Sequence, residues 1–261
     1  MVRGFTFVAL VSEKYRNVFD TNLNTSPPFR GNGKSELIVI RDFSIEKPCI
    51  SLNKAIDASK NDVIVFAQAD VYLPESWDIK MEGIINRIEE KCANWGVLGT
   101  FGVSEDNEYV GHLYSNGMQK ELGRPGPAVE AKSIDETLFV FNKKSGIRFD
   151  DRFPYLYLYG NDLLVQASES GNKNFIISNF FVHNSLTYVR YQKGGITSVE
   201  YFRRKWPQKL PFRATYLTVY PEKWKNFYYK FKRDILPLFK RNMNIITVRE
   251  GNPSSIRSIY S

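Results

Sequence analysis

The first hundred residues alternate short apolar runs, rich in β-branched and aromatic side chains, with segments of helical periodicity. No other feature limits the fold as strongly. The runs with strand character are residues 5–11, 36–40, 63–67 and 95–99. The segments with helical character are residues 13–19, 50–59 and 75–91. Such alternation is typical of α/β proteins, so we predict a mostly parallel sheet with helices on both faces.

The helix at 75–91 has the clearest pattern. Pro74 stands where a helix begins, and apolar side chains then recur at helical spacing, at Trp77, Met81, Ile84, Ile85 and Ile88. Farther along the chain, we predict strands at 134–141 and 175–182 and a helix at 162–170. The stretch from Gly102 to Arg124 is polar and rich in glycine, which predicts a loop or hairpin excursion that contacts substrates.

Charge divides the chain into two unequal parts. Residues 1–190 contain 21 Lys and Arg against 24 Asp and Glu, whereas residues 191–261 contain 15 against 4, which gives −3 and +11. We therefore predict a main domain at 1–190 and a basic, aromatic-rich helical extension at 191–261. A basic patch alone is weak support for nucleic-acid binding, and the body has no recognisable nucleic-acid module, so that partner is not expected.

Within the extension, residues 222–241 form a basic amphipathic helical pattern with Trp224 on its aromatic face. Two interpretations are open. The aromatic face packs on the main domain, or it makes a peripheral contact with an anionic membrane or a lipid-linked acceptor.

No apolar run reaches the roughly 20 residues of a membrane-spanning helix, and the first run is too short for a signal segment. Cys49 and Cys92 lack metal-ligand spacing, which fits a reducing compartment. These features predict a cytoplasmic protein, or one that lies peripherally at the inner face of a membrane.

Polar side chains follow several of the predicted strands. Ser12, Asp42, Asp70 and His183 stand at or just beyond strand ends. In an open parallel sheet, ligands bind beyond the carboxyl ends of the strands. Carboxylate oxygens at that edge suit Mg²⁺ or Mn²⁺ and the hydroxyl groups of a nucleotide.

The segment 61–77, with Asp-Val-Tyr-Leu-Pro at 70–74, resembles the glycosyltransferase family 2-like proteins, in particular a branch with a His-Gln-Asp-Val-Tyr-Leu-Pro-like run. Further similar segments extend over about residues 4–188. The resemblance implies a GT-A-like, Rossmann-type fold and a nucleotide-sugar donor. It implies that Asp70 binds a divalent cation, Mn²⁺ or Mg²⁺, and this sequence has Gln68 where the commoner form of the motif has another aspartate.

The same resemblance implies roles for other residues. His183 resembles the histidine that completes the metal site. The implied donor-binding residues are Ser12, Asp42, Asn53, Gln68, Ala69, Asp70 and Asp135. Asp162 matches the catalytic base, which Asn161 precedes in place of the family's glutamate, and Glu136 is a second catalytic candidate. From the residues alone, Asp162 is also a reasonable helix N-cap.

The expected activity is inverting transfer of a sugar from a UDP- or dTDP-sugar to a hydroxyl of a glycan or a lipid-linked acceptor. A degenerate domain that only binds carbohydrate or membrane is the alternative. A sugar-phosphate nucleotidyltransferase would need a glycine-rich basic loop after the first strand, whereas this chain has Ser-Glu-Lys-Tyr at 12–15.

Overall fold

The structure is a computed structural model that describes residues 3–29, 34–44, 47–185 and 193–230. Its strands, in chain order, are β1 Thr6–Leu10, β2 Glu36–Ile40, β3 Val63–Ala67, β4 Val71–Tyr72, β5 Trp95–Gly99, β6 Phe101–Ser104, β7 Tyr109–Ser115, β8 Lys120–Gly123, β9 Val129–Ile134, β10 Leu138–Asn142, β11 Lys173–Ile176, β12 Phe181–His183, β13 Phe212–Arg213 and β14 Thr218–Val219. Its α-helices are α1 Arg16–Thr21, α2 Cys49–Ala58, α3 Trp77–Glu89, α4 Tyr159–Glu169, α5 Lys193–Lys205 and α6 Lys223–Lys230.

Twelve of these strands form one sheet in the order β2-β1-β3-β10-β5-β11-β9-β6-β7-β12-β4, with β8 beside β7. The mixed α/β class is confirmed. The prediction of a mostly parallel sheet is wrong: within the described residues, four of the eleven pairings in this sheet are parallel and seven are antiparallel. The parallel pairings are β2-β1 and β1-β3, which strand–helix alternation predicts, and also β5-β11 and β7-β12.

The central strands are apolar on both faces because helices cover both sides of the sheet. Val8 of β1 and Phe66 of β3 lie in one buried cluster with side chains of α2 and α4. Phe7 of β1 and Val65 of β3 lie in a second cluster with side chains of α1 and α3. Successive residues of a strand point to opposite faces, so each central strand contributes to both clusters.

Several predicted elements have different bounds in the structure. The strand predicted at 175–182 is two strands, β11 and β12. The single strand predicted at 134–141 is two strands, β9 and β10, joined by a turn at 135–137. The helix predicted from Asp162 begins at Tyr159, so Asp162 is its fourth residue and the N-cap position belongs to Leu158. The glycine-rich excursion is a three-stranded hairpin structure, β6-β7-β8, as predicted.

Residues 193–219 pack on the body of the protein. Phe202 of α5, Phe212 of β13 and Val219 of β14 are each at most 3% exposed and belong to the same cluster as α2 and α4. The domain boundary predicted near residue 190 falls at 186–192, outside the described residues, and so does the part of the 222–241 helix beyond residue 230. No helix in the described part of the chain combines the length and apolar character needed to cross a bilayer.

Candidate functional site

Several predicted site residues meet at one edge of the sheet. Leu10 pairs with Ile40 in parallel, so the carboxyl ends of β1 and β2 lie together. The antiparallel strand β10 begins at Leu138 opposite Ala67, the last residue of β3. The segments that follow β1, β2 and β3 and the turn at 135–137 therefore share this edge, which we call the carboxyl edge.

Asp70 lies in a tight turn after β3, closed by a bond from the Val71 N–H to the Gln68 carbonyl at 3.2 Å. Strand β4 leaves this turn and pairs with β12, which places His183 opposite Val71. The His183 Nε2 is 3.4 Å from Asp70 Oδ2, and the two side chains are 22% and 18% exposed. The carboxyl edge thus contains a half-buried aspartate–histidine pair.

The other carboxylate oxygen of Asp70 stands out. Asp70 Oδ1 is buried and has no hydrogen-bond partner among the described residues. A buried polar atom without a partner costs about 1–3 kcal/mol, and such atoms point to a ligand or ion. Asp70 is held in place through its backbone instead, because its carbonyl accepts the Asn184 N–H at 2.8 Å.

The pair favours its charged forms. Burial raises the pKa of Asp70, but the attraction and hydrogen bond of His183 outweigh burial and leave this pKa below its usual value. For His183, burial lowers the pKa, and Asp70 and then Asp135 raise it, with a net upward shift. Asp135 is therefore close enough to act on His183 electrostatically.

A divalent cation would find two protein ligands here, the Asp70 carboxylate and the His183 imidazole, which must lose its proton when the cation binds. Within the described residues, no group of three or more His, Cys, Asp or Glu side chains is arranged to hold a metal ion. One oxygen and one nitrogen donor fit a site whose remaining ligands come from a diphosphate and water. The unpartnered Asp70 Oδ1 supports that fit.

Asp135 is half-buried and lies in the turn between β9 and β10. Its Oδ1 accepts the Thr137 N–H at 3.0 Å, and its Oδ2 accepts the Thr215 hydroxyl at 3.0 Å. Because 135–137 is a turn, strand alternation does not decide which of Asp135 and Glu136 faces the edge. The two carboxylates point to different neighbours, Asp135 toward Thr137 and Thr215 and Glu136 toward α4.

Glu136 caps the N-terminus of α4 from 22 residues earlier in the chain. Its Oε1 accepts the backbone N–H groups of Gly160 and Asn161 at 2.8 and 3.1 Å, and its Oε2 accepts that of Leu158 at 2.9 Å. Leu158 has a left-handed φ of 65° and no side-chain cap, so the carboxylate replaces the missing cap.

Two further donors complete the surroundings of Glu136. The Asn161 side-chain amide donates to Oε1 at 3.2 Å, and the Tyr216 hydroxyl donates to Oε2 at 2.9 Å. Burial raises the pKa of Glu136 to about 7, against the lowering effect of these donors. Glu136 is 6% exposed, and its role in this arrangement is to hold the start of α4 in place.

Asp162 is also committed to contacts within the protein. Its carboxylate accepts the Trp206 Nε1–H at 2.7 Å and the Gln166 amide at 2.8 Å, and it pairs with Lys205 at 2.9 Å. Burial raises the pKa of Asp162, and Lys205 only partly offsets this effect. The side chain is 1% exposed, so the residue predicted as the base anchors α5 to α4 here and does not reach solvent.

The remaining predicted residues divide between the edge and elsewhere. Ser12 and Asp42 follow β1 and β2 and are half-buried and exposed, respectively, at the carboxyl edge. Gln68 is exposed there and donates to the Glu136 carbonyl at 3.4 Å, whereas Ala69 is buried. Asn53 lies on α2, and its amide exchanges bonds with the Phe149 backbone at 2.9 and 3.0 Å. That amide has a structural role in holding the 149–151 segment.

A polar surface cavity of about 750 Å³ lies beside that segment, away from Asp70. Its lining includes Asn53, Asp150, Arg152 and Lys205. We place the site at the carboxyl edge because the unpartnered carboxylate oxygen is there, whereas Asp150 is bound by Lys205 and Arg152.

Sequence reasoning missed three residues that contact the predicted ones. Thr215 and Tyr216 bond Asp135 and Glu136 across 80 positions, and Lys205 bonds Asp162 across 43. All three belong to the segment predicted as an extension. No local pattern marks them, and only covariation among relatives could have found them.

The sequence matches no protein-family model and no curated protein. Solved structures share part of the backbone arrangement at 11% identity. They include the crystal structure of S. aureus TarS, with a TM-score of 0.48 over 77% of this chain and 39% of that one. A crystal structure of GalNAc-T7 with UDP, GalNAc and Mn²⁺ has a TM-score of 0.49 over 99% of this chain and 58% of that one. A structure of S. aureus TarS 1–349 has a TM-score of 0.44 over 78% and 72%.

This chain therefore spans less than two thirds of the first two structures. Since every TM-score is below 0.5, these similarities assign neither a family nor an activity, and the function is argued from the site itself.

Proposed function

We propose that this protein transfers a sugar from a nucleotide-sugar donor, with a UDP- or dTDP-sugar favoured, to a hydroxyl of a glycan or lipid-linked acceptor. The transfer is inverting and assisted by a divalent cation. The single observation that carries the proposal is the buried, unpartnered Asp70 Oδ1 beside His183, at the edge where β1, β2 and β3 end. The resemblance of the 61–77 segment to family 2-like glycosyltransferases supports the substrate class.

Each group at the edge has a part in this proposal. Asp70 and His183 would hold Mn²⁺ or Mg²⁺, and the cation would supply positive charge to a departing diphosphate. Ser12 and Asp42, beyond β1 and β2, contact the nucleoside, and Gln68 offers an exposed amide beside them. Because the pair is half-buried, it also limits the access of water to the phosphates. Polar groups act more strongly on the phosphates where water is excluded.

A thermal-shift screen tests the proposal. Wild type, Asp70→Asn and the control Asp57→Asn are melted with UDP, dTDP, GDP and CDP, each with and without Mn²⁺. Asp57 is an exposed aspartate of α2, and it pairs with Arg148. We expect one nucleotide to raise the melting temperature of wild type and of the control only when Mn²⁺ is present, and Asp70→Asn to lose the effect. No shift with any nucleotide would refute the proposal.

A binding module without catalysis is the second candidate, and the internal commitment of Glu136 and Asp162 favours it. This candidate binds carbohydrate or membrane, and it predicts neither stabilisation by a nucleotide nor release of UDP or dTDP from any nucleotide sugar. Measurement of nucleotide release at high protein concentration separates the two candidates.

We also propose that α6 contacts an anionic membrane surface, which would place the protein at the inner face of a membrane. Trp224 is 66% exposed at the start of α6, between Lys223 and Lys225. An exposed tryptophan among lysines suits the interface between lipid headgroups and water. Sedimentation with phosphatidylglycerol vesicles should carry wild type down more than Trp224→Ala. Equal sedimentation of the two proteins would refute this contact.

A further inference from the structure

The proposed transfer needs a group that takes the proton of the acceptor hydroxyl, and three carboxylates are candidates. Asp162 is 1% exposed and bound by Lys205, Trp206 and Gln166. Glu136 is 6% exposed and accepts five hydrogen bonds at the N-terminus of α4. In the described structure, each oxygen of Asp135 accepts one bond, and the side chain reaches solvent. Of the three, Asp135 is the carboxylate with room for a further donor.

Asp135 is also on the correct side of the turn. The Gln68 N–H donates to the Thr137 carbonyl at 2.9 Å, so the turn that carries Asp135 lies beside the turn that carries Asp70, whereas Glu136 faces α4. His183 is paired with Asp70 at the proposed diphosphate position. A base must lie within reach of an acceptor that approaches the sugar next to that diphosphate. The backbone bond between the two turns gives Asp135 this neighbourhood.

Thr215 fixes the orientation of Asp135 from the C-terminal segment. It lies in the turn between β13 and β14, which is closed by a bond from the Ala214 N–H to the Leu217 carbonyl at 2.8 Å. Ala214 is buried, and the adjoining Phe212 and Val219 belong to the main core cluster. The Thr215 hydroxyl is therefore held on a rigid hairpin, which is what a positioning residue requires.

We propose that Asp135 accepts the proton of the acceptor hydroxyl and that Thr215 is its positioning residue. The inference rests on the proposed transfer. The acceptor oxygen forms a bond to the anomeric carbon as its proton moves to the Asp135 carboxylate. The bond between that carbon and the diphosphate oxygen breaks, and its electron pair leaves with the nucleoside diphosphate. Atoms and charge balance without a further reactant.

The test uses release of UDP or dTDP from UDP-glucose, UDP-galactose, UDP-N-acetylglucosamine and dTDP-glucose, with water or azide as acceptor. Azide is a nucleophile without a proton, so it needs no base. We expect Asp135→Asn to release nucleotide into water at least about 100-fold more slowly than wild type. Azide should restore release by Asp135→Asn to the wild-type rate measured with azide. The thermal shift with the nucleotide should be unchanged.

Thr215 is tested by substitutions matched within the same hairpin. Thr215→Val should lower the rate of release about tenfold, the rate equivalent of one hydrogen bond to a carboxylate, without a change in KM for the donor. Thr215→Ser keeps the hydroxyl and should restore the rate. Thr218→Val makes the same change in β14, opposite Arg213, and should match wild type.

Three results would overturn the inference while leaving the proposed function intact: wild-type release by Asp135→Asn, failure of azide to restore it, or loss of nucleotide binding in this variant. If Thr215→Val matched wild type, the positioning role of Thr215 would be refuted. If wild-type protein binds nucleotide yet releases none from any of the four donors, then the proposed function itself fails, and the inference with it.

Discussion

Two acidic regions of this protein use the same residue types in opposite ways. At the N-terminus of α4, Glu136 and Asp162 are nearly fully buried, and hydrogen-bond donors surround both carboxylates. At the carboxyl edge, Asp70 has one buried oxygen without a donor, and Asp135 remains half-buried. The α4 carboxylates fasten elements together, whereas the edge carboxylates keep acceptor capacity for something outside the described chain.

This difference shows that the free lone pairs of an acidic residue indicate its role as much as its place in a motif does. Removing a buried, satisfied carboxylate leaves its donors without a partner, which costs stability. Removing a carboxylate that waits for a ligand costs little stability and much function. Substitutions in the two regions should therefore differ in their effects on stability and on activity.

The largest effect is expected for Asp162→Ala. The change leaves Trp206 Nε1–H without its acceptor and Lys205 with Asp150 alone. Urea denaturation should show a loss of about 3–5 kcal/mol in the free energy of unfolding, as for other broken buried ion pairs. Asp70→Ala should lose less than Asp162→Ala, since Asp70 Oδ2 pairs with His183 whereas its Oδ1 has no donor among the described residues. Equal losses would break the contrast.

Asp70→Asn should reverse the order when activity is measured. We expect nucleotide release to fall about 100-fold, which corresponds to about 2.7 kcal/mol of lost transition-state stabilisation. The unfolding midpoint should stay at the wild-type value. Asp57→Asn provides the control for a general effect of removing a charge. A variant as active as wild type would contradict the role given to Asp70.

The contact between Asp150 and α5 should also respond to acid. Burial raises the pKa of Asp150, but hydrogen bonds from Lys205, the Arg152 N–H and Tyr201 outweigh burial and hold this pKa below its usual value. The stabilisation is therefore complete above the unfolded pKa near 4 and is lost as pH falls through the lower folded pKa. At pH 7, Asp150→Asn should cost about 2 kcal/mol.

Unfolding curves from pH 7 to pH 2 measure this effect. The stability difference between wild type and Asp150→Asn should narrow below about pH 4. A difference that stays constant over the whole range would show that Asp150 contributes by packing rather than by its charge.

The smallest effect is expected for Tyr216→Phe. The hydroxyl donates to Glu136 and also accepts the Leu158 N–H at 3.1 Å, so its loss should cost about 1 kcal/mol in thermal or urea unfolding. Nucleotide release should change less than in Thr215→Val, which alters the neighbouring bond to Asp135. A larger loss of activity in Tyr216→Phe than in Thr215→Val would indicate that the functional carboxylate is Glu136 and not Asp135.

The sequence predicted the parts of the fold that local periodicity controls. Strands β1, β2, β3 and β5 and helices α2 and α3 lie where their apolar patterns place them, within one or two residues. The position of Asp70 at the carboxyl edge follows from the same patterns. Each depends on residues close together in the chain, where side-chain spacing decides which face is buried.

The features that the sequence did not predict depend on distant contacts. Helix α4 begins before Asp162 because Glu136 caps it from another element, so local cap preferences misplaced its start. The strand that we predicted at 134–141 is divided at 135–137, so β9 and β10 pair with different neighbours, and all four of these pairings are antiparallel. Thr215 joins the site through a hairpin 80 residues away, a relation that periodicity does not contain.

The most direct test of the central claim is an anomalous difference map from crystals soaked with UDP and Mn²⁺. We predict one peak at the carboxyl edge, from a Mn²⁺ ion bound by Asp70, His183 and the diphosphate, and no such peak in Asp70→Asn crystals. UDP bound elsewhere, for example in the cavity beside Asp150, or a Mn²⁺ peak that persists without the Asp70 carboxylate, would contradict it.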